Sequence, residues 1–144
     1  MAENEGNTQE TAAAEQPAGR EFALQRIYLK DSSLEYPGSP AFFQGQWQPK
    51  INFDTKTRNT RLQNDLFEVV LVLTVEATQE DKPAFVVEVH QAGVFTAKDF
   101  EGVQLERLLA TICPNILLPY ARVVIDSLVV KGSFPALMLA PINF

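Results

Sequence analysis

Cys113 is the only cysteine and His90 the only histidine in the chain, so these are the first side chains to test for chemistry. Cys113 lies in the apolar stretch TICPNILLPYAR (111–122), which also holds Pro114 and Pro119. A reactive thiol needs a lowered pKa, supplied by a helix N-terminus or a nearby base. The helix leading to Cys113 is expected to stop there, where the helix dipole opposes a thiolate. Cys113 therefore reads as a small buried apolar residue. His90 falls on the polar face of a strand, two residues from Glu88 on that same face. Such a pair can shuttle a proton, but no nucleophile accompanies it, and a solvent-facing strand residue is the preferred reading. One cysteine and one histidine do not make a zinc site with the usual ligand counts. Neither GxxxxGK[ST] nor GxGxxG is present. The residues thus give no catalytic, metal or cofactor signature.

Composition narrows the partners. The chain has 144 residues, 46% hydrophobic and 21% charged, enough for one compact core. A net charge of −6 and a pI near 4.8 disfavour nucleic acid and anionic membrane and favour a basic partner. A lone cysteine makes no internal disulfide, which suits a reducing compartment. The sequence offers no run read as long and apolar enough to span a bilayer, and its start lacks a secretory-signal pattern. The expected location is cytoplasmic.

The elements that would position these residues follow from patterning. Residues 1–20 carry four glutamates against one arginine and little apolar surface, as expected of a disordered acidic tail. FALQRIYL (22–29) reads as a strand, continued by KDSSLEY with an irregularity at Ser32 and Ser33. PGSPAFFQGQWQP (37–49) reads as a long loop carrying Phe42, Phe43 and Trp47. A weaker strand starts at Ile51, with Ile51 and Phe53 on one side. The clearest strand spans 66–78, with Phe67, Val69, Leu71, Leu73 and Val75 on one face and Glu68, Val70, Val72, Thr74 and Glu76 on the other. AFVVEVHQ (84–91) repeats the alternation. Short turns imply an antiparallel meander.

Asp99 is placed to N-cap a helix starting near Phe100, with Leu105, Leu108, Leu109 and Ile112 in one stripe. Proline disfavours helical geometry in the residue before it. The spacing therefore predicts a stop at Cys113, a linker over 115–118, and a second helix from Pro119 to Gly132. That second helix is apolar nearly all round, with Ala121, Val124, Ile125 and Leu128 on one face and Val123, Val129 and Val130 beyond it. A sheet covers one side, so a second copy of the chain is expected on another, with Val124 and Leu128 as interface positions. Two features remain open to a functional reading. Asp31, Glu35, Glu68, Glu76 and Glu88 make strand faces acidic, and the preferred reading of the residues alone is a solvated face that guards against edge pairing. Phe42, Trp47, Ile51 and Phe53 either anchor the long loop or line a groove for an apolar ligand.

Several motifs resemble the SecB protein-export chaperone family. They are CPNILLPYAR (113–122), FALQRIYLKD (22–31), WQP (47–49), AFVVEVHQAGVF (84–95) and GSFPALMLAPINF (132–144), in family order across 22–144. The resemblance implies an α+β fold, a four-stranded antiparallel sheet with two main helices packed on one face, in a single domain over 21–144. It implies a homotetramer, a dimer of dimers, that binds unfolded precursor proteins without ATP and hands them to the SecA translocase ATPase. It further implies a contact for SecA's basic, zinc-bearing tail at Asp31, Glu35, Val86 and Glu88, the metal being the partner's. Val87, Val89 and Gln91 match positions linked to tetramer assembly. Clients would lie along Phe42, Trp47, Ile51 and Phe53, although Thr55 is more polar than the family pattern. The family continues beyond Asn143 and Phe144 into a further helix and tail, which this sequence lacks. The alternative is a dedicated chaperone of the same fold serving one partner, such as a toxin–antitoxin pair. An enzyme built on His90 and Glu88 ranks third.

Overall fold

The computed structural model describes residues 19–38, 40–41, 45–142 and 144. The acidic segment 1–18 lies outside the described residues, as do Phe42 and Phe43. Four strands are present: β1 (Glu21–Glu35), β2 (Lys50–Gln63), β3 (Leu66–Gln79) and β4 (Lys82–Lys98). They form one antiparallel sheet in the order β1-β4-β3-β2. The expected meander therefore covers β2 to β4 only. β1 returns beside β4 through the long loop, giving a Greek-key order. The tight β3–β4 hairpin turns at Glu80 and Asp81, both with positive φ, as a turn matched to strand twist requires. β1 carries its irregularities at Gln25 and Lys30 rather than at the two serines. An extra residue at each point keeps the pairing in step while the strand twists.

Alternation along β3 and β4 divides the sheet into two faces. Phe67, Val69, Leu71, Leu73 and Val75 share the buried side with Phe85, Val87, Val89 and Phe95. The helical segment covers this side and lies mainly on β4 and β3. It departs from expectation. Helix α1 (Gly102–Arg107), a π-helical turn (Leu108–Ile112) and helix α2 (Cys113–Lys131) run on as one rod from Gly102 to Lys131, 30 residues long. There is one main helix, not two, and no linker at 115–118.

The prolines explain how. In the π turn the Cys113 N–H bonds to the carbonyl of Leu108, five residues back. This wider turn makes room for the ring of Pro114, which occupies the first turn of α2, where a missing N–H costs little. Pro119 then sits inside α2, leaving one carbonyl of the preceding turn without its helical donor. The extra residue in the π turn also shifts the helical phase. Leu108 and Leu109 are buried, whereas Ile112, expected in the same stripe, is exposed. Asp99 does not cap the helix: it adopts positive φ, and extended Glu101 is the N-cap residue, with no side-chain capping bond.

An unbroken rod of this kind is, by length and composition, long and apolar enough to cross a membrane, contrary to the expectation from a helix split in two. Its Cys113, Leu117, Ala121, Ile125 and Val129 are nevertheless fully buried against the sheet, as in a core helix. Past Gly132 the chain folds back over the core. Phe134 meets Trp47 at 4.6 Å and Phe85 at 4.9 Å between ring centres. The Asp126 carboxylate accepts the backbone N–H groups of Leu137 and Met138 at 3.0 and 3.2 Å.

Gly93 sets the distance between helix and sheet. A Cβ there would stand 2.8 Å from Phe95 Cε2 and 3.0 Å from Leu117 Cδ2, and both neighbours are fully buried. Gly93→Ala is expected to lower stability by about 1–3 kcal/mol through overpacking. Urea denaturation at fixed protein concentration measures this, and an unchanged midpoint would show that Leu117 is not held against the strand.

Candidate functional site

The sheet face away from the helix is open, and its residues are set by strand register. Cross-strand partners share a face. One row therefore holds Asp31, His90, Val72 and Lys56. The next holds Ser33, Glu88, Thr74 and Asp54, and the one after it Glu35, Val86, Glu76 and Asn52. Asp31, Glu35, Val86 and Glu88, separated by up to 57 positions in sequence, thus come together on the outer surface of β1 and β4. The register also adds Glu76 and Asp54 to the same acidic end.

The floor of this face is apolar. Val70, Val72 and Ala92 are buried although no helix covers them, and Tyr28 packs over them. Tyr28 on β1 donates its hydroxyl hydrogen to Glu68 on β3, spanning β4. Lys30, at the bulge in β1, donates to the other oxygen of Glu68 at 2.8 Å. The small Ala92 leaves room for this bridge. The hydrogen bonds from Lys30 and Tyr28 hold the Glu68 carboxyl below its usual range. The same bond, with burial, pushes the Tyr28 phenol up to about 12.

Glu88 is held internally too. Its Oε2 lies 3.0 Å from His90 Nε2, and its Oε1 accepts from the Thr74 hydroxyl at 3.1 Å. These bonds, that from His90 first, keep its carboxyl below the usual range. Glu88 is therefore an anion oriented on the surface. His90 is less exposed than a solvent-facing strand residue would be, its side chain being 18% accessible. His90 and Glu88 were expected on one face, and the structure brings them into contact; the group that joins them is the Thr74 hydroxyl, which donates to Glu88. Cys113 is fully buried in the core, and burial pushes its thiol up to about 12. The thiol stays protonated, as expected, but its burial in the middle of the rod is the reason rather than a helix end. Among the described residues no group of three or more His, Cys, Asp or Glu is arranged to hold a metal ion.

The other sequence-predicted positions lie on the helix side. Trp47 is half-buried and stacks on Phe85 at 6.3 Å between ring centres. Ile51 packs on the core, while Phe53 is 53% exposed. Ile51 and Phe53 pair with Ala77 and Val75, so they extend the covered face beyond the helix, along the β2 edge. Phe42 falls outside the described residues. Val87 and Val89 are fully buried and Gln91 nearly so, all within a single chain. Gln91 donates to the Tyr28 carbonyl at 3.0 Å, and its own side-chain oxygen has no partner. Val124 and Leu128 are half-buried against the core. The exposed large apolar residues of the rod are instead Val103, Ile112, Tyr120, Val123 and Val130, of which the last four fall along one side.

A Greek-key antiparallel sheet with one face under a long helix and the other open, bearing Asp31, Glu35 and Glu88, defines an α+β protein. The chain belongs to the SecB family: the family model for preprotein translocase subunit SecB matches residues 14–144. It is 56% identical over 131 residues to the protein-export protein SecB of Hahella chejuensis, covering 91% of this chain and 82% of that one. It is 51% identical over 144 residues to that of Marinobacter nauticus, covering 100% and 85%. Among solved structures, a SecB-like chaperone of Mycobacterium tuberculosis in complex with an antitoxin peptide shares the fold, with a TM-score of 0.65 at 16% identity, covering 85% of this chain and 91% of that one. The expected α+β fold and the absence of an enzymatic role agree with this membership, the helix count being the exception.

The Glu68 bridge gives a pH-dependent test. A depressed carboxyl pKa contributes stability above the unfolded value, about 4.3, and loses it as pH falls through the folded value. Glu68→Gln should therefore cost about 1–2 kcal/mol at neutral pH, with the difference from the unsubstituted chain closing in acid. Denaturation midpoints across pH would reveal it, and a constant difference would remove the charge from the explanation.

Proposed function

We propose that this chain is an ATP-independent export chaperone, which binds unfolded precursor proteins, keeps them competent for export and delivers them to SecA. The observation carrying the reading is the division of one sheet into an acidic open face and an apolar covered face, in a chain of the SecB family. Clients bind on the apolar side, along Trp47, Ile51 and Phe53, with Phe42, outside the described residues, as a further candidate position. Burial of apolar surface is non-directional and worth about 25 cal/mol per Å2, so many unrelated sequences gain from it. On the open side, Asp31, Glu35, Val86 and Glu88 receive the basic, zinc-bearing tail of SecA. Val86 supplies apolar contact among the carboxylates, and opposite charge speeds encounter. Competition by SecA for the client releases it without nucleotide hydrolysis, consistent with a sequence holding no phosphate cradle.

The assembly is a homotetramer, a dimer of dimers, working in the cytoplasm. Exposed Ile112, Tyr120, Val123 and Val130 on the rod support a second copy seated there, beside Val124 and Leu128. Val87, Val89 and Gln91 lie under the rod, so they act on assembly by fixing its position rather than by touching another subunit. Residues 21–144 act as the chaperone domain and 1–20 as an acidic tail.

Two measurements test this reading. At stoichiometric ratios the chain should suppress aggregation of several unrelated unfolded proteins, followed by light scattering. Protection of a single partner would favour a dedicated chaperone instead. Glu88→Lys should abolish binding of the SecA tail in calorimetry while leaving the assembly mass unchanged, and retained affinity would remove the open face as its dock.

A further inference from the structure

The open face is not uniformly acidic. Beside Glu88 lies a cavity of about 320 Å3, lined by Lys56 and Arg58 from β2, Val72 and Thr74 from β3, and Glu88 and His90 from β4. Neither Lys56 nor Arg58 is in direct ion-pair or side-chain hydrogen-bond contact with another described residue, though Lys56 acts on Glu88 and Arg58 on Glu68 at longer range. β2 as a whole carries Lys50, Lys56, Arg58 and Arg61 against one carboxylate, Asp54, in a chain of net charge −6. The face is therefore polar in the electrical sense: acidic at Glu35, Glu76, Asp54 and Glu88, basic at Lys56 and Arg58.

We propose that the Lys56–Arg58 cavity receives a carboxylate side chain of the same extended, otherwise basic partner segment that docks on the acidic end. This inference rests on the acidic face being a dock for a basic partner, and it specifies which basic segment fits. The cavity is open to a single acidic side chain, with Thr74 and His90 as further polar neighbours and Val72 as its floor. A polyanion such as nucleic acid, or a free phosphate, would meet Glu88 in the cavity wall and a chain of net charge −6 around it and be repelled. A lone carboxylate flanked by lysines or arginines would carry its own compensation for that charge.

The register fixes the spacing. The row of Lys56 and His90 stands two strand residues from the row of Glu88 and Asp54 and four from the row of Glu76 and Glu35. At about 3.4 Å per residue these are roughly 7 and 14 Å, or two to four residues of an extended peptide running with the strands. The favoured segment thus carries its carboxylate within about four positions of a basic residue.

The test uses the full chain and two short lysine-rich peptides. One carries an aspartate four residues from its lysine cluster, and the other carries asparagine there. Binding is followed by fluorescence anisotropy at low ionic strength. The aspartate peptide should bind about fivefold more tightly, the upper range for one exposed ion pair. In the Lys56→Gln, Arg58→Gln variant this preference should vanish. Net charge alone predicts the opposite sign, since an added carboxylate weakens attraction to an acidic protein. Equal or tighter binding of the asparagine peptide would overturn the inference and leave the acidic dock standing. If neither peptide binds the unsubstituted chain, the acidic dock fails and the inference falls with it.

Discussion

The fold depends on the helix remaining continuous across two prolines. One strand pair, β3 and β4, is apolar on its inner face along its whole length, and only a rod of comparable length covers it. The π turn at Leu108–Ile112 admits Pro114 without a break, and Gly93 lets Leu117 sit directly on β4. Were the rod divided, the buried faces of Val87, Val89 and Phe95 would need another cover. Because a single helix does this work on one side, the opposite side is free to carry charge.

That division was legible in the sequence wherever one residue in two was apolar. The inner row of β3 and the pairing of outer residues Val86, Glu88 and His90 follow from period-two alternation, which the structure keeps. The helix was less legible. Proline at 114 is a sound stop signal by local geometry, and nothing in the residue types announces that a wider turn will absorb it. The phase error at Ile112 has the same origin, since a stripe counted at regular spacing is carried one residue out of step. Asp99 was a reasonable cap by type, but the backbone there turns left-handed and hands the cap position to Glu101.

Among the candidate site residues, side-chain type was informative and neighbourhood was not. Asp31 and Glu88 were each identifiable as outward carboxylates, while their adjacency requires β1 to pair with β4. That pairing is a consequence of the long loop, which pattern alone would have led to a plain meander. Lys56 and Arg58 were visible only as ordinary charges of a weak strand. Their place beside Glu88 and His90 emerges from three registers taken together. Val87 and Val89 illustrate the reverse case: their resemblance to assembly positions was evident, yet both lie beneath the rod of their own chain.

The wide turn in the rod has a consequence of its own. Deleting a single residue from Leu108–Ile112 would return the backbone to ordinary winding and rotate everything downstream by about 100°. Outward valines such as Val123 would then swing toward the strands, and inward ones such as Val129 toward solvent. One peptide unit thus acts as an angular setting, deciding which side of a long apolar cylinder is kept at home and which is shown to the outside.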